Sequence, residues 1–199
     1  MTPWGKERFD ATRTEDPAAV SNLKDPMLRC DPLGWPRLFT YNYGFEFYVL
    51  PDRVLQNFAW GNAWRTIWTD GRKLPDVPPE PRYMGWAVGH WDPDNTFVIE
   101  SNGYDDRSWL FEDWPDRKAG WTHSEEMRIE ERWKRTSYGT LEAQLTIIDP
   151  KTYTGPLVSE VTRMNLLPGA EMWEYLCVPT DATEHIERLL PPTAGAAPR

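Results

Sequence analysis

The sequence predicts an all-β protein: an antiparallel meander of about nine strands closed into a lipocalin-like barrel, with an irregular N-terminal arm and a short C-terminal helix. Three observations carry this. Between residues 38 and 177, short runs rich in aromatic and β-branched residues alternate with turn chemistry. Most links between these runs are short enough for hairpins. No long stretch shows the helical period that the crossovers of a parallel sheet require. A sequential meander of this size closes into a barrel or folds as a sandwich, and the barrel is the reading adopted.

In chain order, residues 1–35 come first. They are polar, are broken by Pro3, Pro17, Pro26 and Pro32, and show no sustained period. They read as an arm that wraps the domain or packs on a neighbouring copy, a possible route to a homo-oligomer. The barrel domain spans residues 36–178. Its runs are 38–50, 54–60 and 64–69, separated by Pro51 and Asp52, then by Gly61 and Asn62. Asp70 and Gly71 are the sharpest turn signal. Pro75, Pro78, Pro79 and Pro81 make a stiff connector. Runs 83–91 and 96–101 flank a hairpin loop at 92–95. Residues 102–122 form a long, aperiodic, lid-like loop with Trp109, Trp114 and Trp121. Runs 124–136 and 140–149 form a second hairpin, and 157–166 and 171–177 a third around Leu167-Pro168-Gly169-Ala170. In the closing segment 179–199, residues 180–184 resemble a helix cap, 185–190 a short helix and 191–199 a frayed tail.

Composition narrows the function. Among 199 residues, 31 Asp and Glu face 22 Lys and Arg, a formal charge of −9 with no basic block. This excludes a face that neutralises nucleic-acid phosphates, and an anionic membrane surface as partner. No run of 18 apolar residues exists, so no membrane span is expected. The N-terminus lacks an apolar leader core; taken as complete the chain reads as cytoplasmic, and a mature exported chain would look the same. The three histidines and two cysteines have no metal-ligand spacing. There is no phosphate-cradling Gly loop and no nucleophile elbow. No metal and no cofactor are therefore expected.

Alternation along residues 125–135 places Met127, Ile129, Glu131 and Trp133 on one face. Glu131 then sits on a core face, where a carboxylate needs a partner or a raised pKa. An ion pair with Arg163 or Arg65 is one reading and a ligand-facing role the other. Gly85, Ala87 and Gly89 leave one face of the next strand nearly bare, while Trp86 and His90 lie on the opposite face. The densest polar constellation is residues 102–109 with 121–124, where His123 meets Asp105, Asp106, Arg107, Ser108 and Ser124. A histidine oriented by a carboxylate can act as a general base; equally, such side chains tie loops down. His123 and Glu131 lie roughly 26 Å apart along a straight strand, so any carboxylate partner of His123 is Asp105 or Asp106.

The stretches 68–72 (WTDGR), 85–110 (GWAVGHWDPDNTFVIESNGYDDRSWL), 122–132 (THSEEMRIEER) and 140–156 (TLEAQLTIIDPKTYTGP) resemble a large family of uncharacterised, exported, β-rich bacterial proteins. The opening TPWGKERFDA resembles the segment just after a cleaved leader in such proteins. The resemblance implies periplasmic or secreted localisation and a β-rich fold, and brings no activity with it. The family pattern carries His where this chain has Trp86, and Arg where it has His90. The resemblance marks Asp106, Trp109, His123, Ser124 and Glu131 without giving them roles. With a processed N-terminus in view, the two cysteines, Cys30 and Cys177, are expected to form a disulfide, because the ends of a closed meander are neighbours.

Three functions stay open. The first is a barrel binding a small, largely apolar or aromatic molecule, since 12 Trp, 8 Tyr and 7 Phe exceed what the core requires. Its binding residues would be Trp68, Trp86, His90, Asp105, Arg107, Trp109 and Trp121. The second is an acid–base enzyme, a lyase, isomerase or hydrolase, using His123, Asp106 and Glu131 as catalytic groups. The third is an assembly subunit.

Overall fold

The structure, a computed structural model, describes residues 1–15, 22–41 and 43–189. The chain runs α1 (Pro3–Thr12), a 3-10 turn (Pro26–Arg29), α2 (Arg37–Thr40), β1 (Phe45–Val49), β2 (Arg53–Phe58), β3 (Trp64–Trp68), β4 (Trp86–Trp91), β5 (Thr96–Asn102), β6 (Trp109–Glu112) and β7 (Gly120–Thr122). It continues through β8 (Arg128–Ser137), β9 (Thr140–Ile148), β10 (Leu157–Val158) and β11 (Thr162–Asn165) to α3 (Pro179–Leu189).

The main sheet has the order β1-β2-β3-β4-β5-β8-β9-β10, with β11 also pairing β9. Side chains alternate as their strands demand: Val54, Gln56 and Phe58 of β2 turn inward, as do Ile129, Glu131 and Trp133 of β8. The sheet curls strongly. Phe47 of β1 lies 5.3 Å from Trp133 of β8, although four strands separate them in the sheet. Trp35, Leu38 and Phe39 enter from the N-terminal side and plug the concave face. Trp35 packs on Phe39 and Phe58, and Phe39, Phe45 and Phe47 surround Trp133.

This is a mostly β fold with a short C-terminal helix, and the sheet is a curled, open half-barrel rather than the closed, lipocalin-like barrel expected. Among the described residues β1 and β10 pair with nothing beyond, because the run at 171–177 forms no strand to bridge them. That run is instead fastened at Cys177 to Cys30 of the arm. The meander is also broken at β3 and β4, which pair in parallel across the proline-rich connector. The connector is held against β5 and β4: Asn102 Nδ2 donates to the Pro75 carbonyl at 2.8 Å, and Trp86 Nε1 to the Glu80 carbonyl at 3.0 Å.

Two regions read as irregular hold structure. The arm contains α1, capped by Thr2, whose Oγ1 accepts from the Gly5 amide at 3.0 Å. The long loop contains the β6–β7 hairpin, a separate two-stranded sheet. The arm packs on its own chain. Phe9 meets Trp121 edge-on, Arg8 pairs with Asp106 at 3.2 Å, and Thr12 Oγ1 bonds both the amide and the carbonyl of Gly120. The expected tail at 191–199 lies outside the described residues. Among these residues no helix is long and apolar enough to cross a membrane.

Candidate functional site

Glu131 lies within the half-barrel, fully out of solvent. Arg65 donates to both its carboxylate oxygens, at 2.6 and 2.7 Å, and Trp133 Nε1 adds a third bond at 2.9 Å. Arg65 Nε donates to Gln56 Oε1 at 2.8 Å, and the guanidinium lies 3.6 Å from the Trp35 ring centroid. Of the two arginines named from sequence, Arg65 is the partner; Arg163 pairs with Glu142 on the outer face. The Glu131 oxygens are spoken for by protein donors, so this is a structural ion pair in place of a ligand-facing group.

His123 follows β7 and is completely buried. Its Nε2 lies 3.0 Å from Ser108 Oγ and its Nδ1 3.0 Å from the Ser124 carbonyl. Burial holds its pKa below the usual histidine range, favouring the neutral ring. Neither expected carboxylate bonds to it. Asp105 accepts from the Arg107 side chain at 2.9 and 2.6 Å, which lowers its pKa, and Asp106 pairs with Arg8. The Ser108–His123 pair is closed over by the arm. Gly34 adopts φ +72°, and a Cβ there would stand 2.7 Å from Ser108 Oγ. Asp149, also buried, holds Ser124 in turn: it accepts from the Ser124 amide and hydroxyl, both at 2.7 Å.

The remaining candidates are dispersed. Trp68 is sandwiched between Arg53 and Arg72 on the outer face, 4.0 and 3.6 Å from ring centroid to guanidinium. Trp86 is covered by Arg82 at 3.5 Å. His90 is exposed, with Nε2 3.5 Å from Asp92 Oδ1. Trp109 is buried beside Arg37, which forms a two-pronged ion pair with Asp25 at 2.8 and 2.5 Å. Trp121 stacks between Phe111 and Tyr153 and donates to Asp113 at 3.1 Å. Trp68, Trp86 and His90 thus share the outer face of β3 and β4, whereas Trp109 and Trp121 sit under the arm. Among the described residues no three His, Cys, Asp or Glu side chains gather as a metal site would need.

A cleft of about 320 Å³ lies elsewhere, between the arm and the C-terminal segment. Met27 and Leu28 of the 3-10 turn, Trp60, Tyr175, Leu176 and Val178 give it apolar and aromatic walls. Asp31, Asp181 and His185 supply its titratable groups. Trp60 and Tyr175 stack at 4.1 Å, with Tyr43 4.7 Å and Tyr41 5.3 Å from Trp60. The Cys30–Cys177 disulfide, with Cα atoms 5.5 Å apart, lies in the lining. Sequence reading singled out none of these residues except the cysteines. The signal was the pairing itself, since joining Cys30 to Cys177 brings residues 27–31 against 175–185.

Set against models of known protein families, against curated proteins and against solved structures, the chain matches none.

Proposed function

We propose that this chain is an exported binding protein for a small aromatic molecule carrying positive charge, held in the cleft between the arm and the C-terminal segment. The observation that carries this reading is the joining of aromatic walls, Trp60 and Tyr175, with two carboxylates, Asp31 and Asp181, around about 320 Å³. That volume falls in the range of small-molecule pockets, about 300–1,000 Å³. Aromatic faces and carboxylates together attract organic cations. Of the largely apolar or aromatic ligand expected from composition this reading keeps the aromatic part and adds positive charge, for Asp31 and Asp181. Its place moves out of the half-barrel, whose concave face is filled by Trp35, Phe39, Phe45, Phe47 and Trp133. The disulfide supports export, because such bonds persist in oxidising compartments.

Titration calorimetry with benzyltrimethylammonium, benzyl alcohol and benzoate tests the reading. The cation is expected to bind more tightly than the neutral alcohol, and benzoate most weakly. Trp60→Ala should weaken the cation tenfold or more, on the order of the largest cation–π contributions. Absence of binding by all three probes at millimolar concentration would refute the proposal.

An acid–base reaction at His123 has less support, because the ring is sealed and its partners are a serine and a backbone carbonyl. An assembly role has one observation in its favour: Val158, Val161, Leu166, Leu167 and Trp173 are all at least half exposed. Sedimentation velocity over a wide concentration range decides it, and a monomer throughout removes it.

A further inference from the structure

Residues 167–189 are attached to the rest of the protein in an unusual way. The amide of Leu166 donates to the Gly139 carbonyl at 2.9 Å. Beyond it, among the described residues, no hydrogen bond and no ion pair joins 167–189 to any earlier residue. Every such bond in the segment is internal to it, such as Ala182 to Val178, Thr183 to Pro179 and Arg188 to Glu184. The non-covalent anchors are the contacts of Tyr175 with Trp60 and, at 6.4 Å, with Tyr43, the approach of Met172 to Gly44, and the packing of α3 against the 3-10 turn. That packing is shallow: no residue of α3 is fully buried, and a second cleft of about 350 Å³ lies between Leu28 and Arg29 on one side and Pro179, Thr183 and Ile186 on the other. Trp173, Leu176 and Leu167 face solvent at 73%, 60% and 69%. Two ring contacts of one tyrosine and a helix that buries no residue fully gain less than ordering a segment of this length costs. The covalent bond is therefore what keeps the segment in place. It raises the local concentration of Tyr175 at Trp60, as a short linker does for a second binding event.

The bond can be reached. Cys177 is exposed and Cys30 half-buried, so a thiolate can approach the Cys177 sulfur. The half-barrel does not depend on it, because the sheet, the plug at Trp35 and the Arg37–Asp25 pair are all assembled before residue 166.

We propose that Cys30–Cys177 is a redox clasp on the cleft: its reduction frees residues 167–189, removes the Tyr175 wall, and abolishes tight ligand binding while the half-barrel stays folded. This rests on the cleft as the ligand site. The reductant is a dithiol. One of its thiolates attacks Cys177 and forms a mixed disulfide, releasing Cys30 as a thiolate. Its second sulfur then displaces Cys177. The two electrons reside on the two cysteine thiols, which take up two protons, and the reductant leaves as its disulfide.

The experiment compares the full chain oxidised, the chain reduced with dithiothreitol, and the Cys30→Ser/Cys177→Ser variant. Three readouts are taken on each: proteolytic cutting within 167–189, the far-ultraviolet and near-ultraviolet circular dichroism, and the affinity for benzyltrimethylammonium. Reduction is expected to speed cutting in 167–189 at least tenfold, to leave the far-ultraviolet β signal in place, and to weaken the probe at least tenfold. The double variant should behave as the reduced chain. Unchanged protection of 167–189 after reduction overturns the clasp. Global loss of the β signal overturns it as well, since the bond would then staple the whole fold. If the oxidised chain binds no probe, the ligand reading fails by itself, and the cutting and dichroism still decide whether the bond is a clasp.

Discussion

Glu131 and Arg65 form a fully buried, two-pronged ion pair, and its weight lies in what happens when one partner is removed. Glu131→Gln strands the Arg65 charge in the core and should cost about 3–5 kcal/mol in urea denaturation. Replacing both, as Glu131→Leu with Arg65→Met, should cost less than the single change, because no charge is left unpaired. A double variant less stable than Glu131→Gln would contradict this. His123 gives a pH signature. Its folded pKa is depressed by burial, so below the unfolded value of 6.5 the unfolded chain holds the proton more readily. Its contribution is fully present above pH 6.5 and is lost as pH falls, at up to about 1.4 kcal/mol per pH unit. His123→Gln should flatten the stability profile below pH 6.5, and an unchanged slope would show that another group controls it. At this scale alternation made Glu131 legible as a core carboxylate and limited its partners to two arginines. The partners of His123 were not legible, because Asp105 is captured by Arg107 two residues away and Asp106 by Arg8 of the distant arm. Periodicity carries no information on such competition between cations.

The strands that hold the sheet were readable because each repeats the inward–outward alternation, as β8 and β9 do over most of their length. The β6–β7 hairpin was not. It is short, and its pairing shifts register between Trp109 and Phe111. It is fixed by packing of Trp109 on Gly120, where a Cβ would stand 2.0 Å from the indole ring. Gly120→Ala should therefore displace Trp109 and cost about 1–3 kcal/mol by thermal or urea unfolding. A neutral effect would mean that the hairpin is looser than its packing indicates. Helix α1 carried a signal in plain sight, Thr2 before Pro3, the cap and first-turn pair of a helix start. Its weak apolar period hid it, since it is held by Phe9, Arg8 and Thr12 against other elements rather than by one apolar stripe.

Across the whole molecule, the arm and the C-terminal segment decide what the sheet can do. Trp35 at the end of the arm, with Leu38 and Phe39 of α2, fills the concave side and leaves the interior as core. The C-terminal segment leaves the sheet after β11 and turns to the arm, which opens the barrel and creates the cleft. Closure was expected from strand count, and the Cys30–Cys177 bond from closure. The bond is present across 147 residues of chain, yet it ties the last run to the arm beside a sheet that stays open. The central claim is that ligands bind outside the sheet, between arm and C-terminal segment. Amide chemical-shift mapping of the oxidised, isotope-labelled chain titrated with benzyltrimethylammonium tests it directly. The account predicts shifts concentrated at residues 27–31, at Trp60 and at 175–185, with Phe47, Trp133, Leu141 and Met164 unmoved. Shifts centred on those four interior residues would contradict it and return the binding site to the half-barrel.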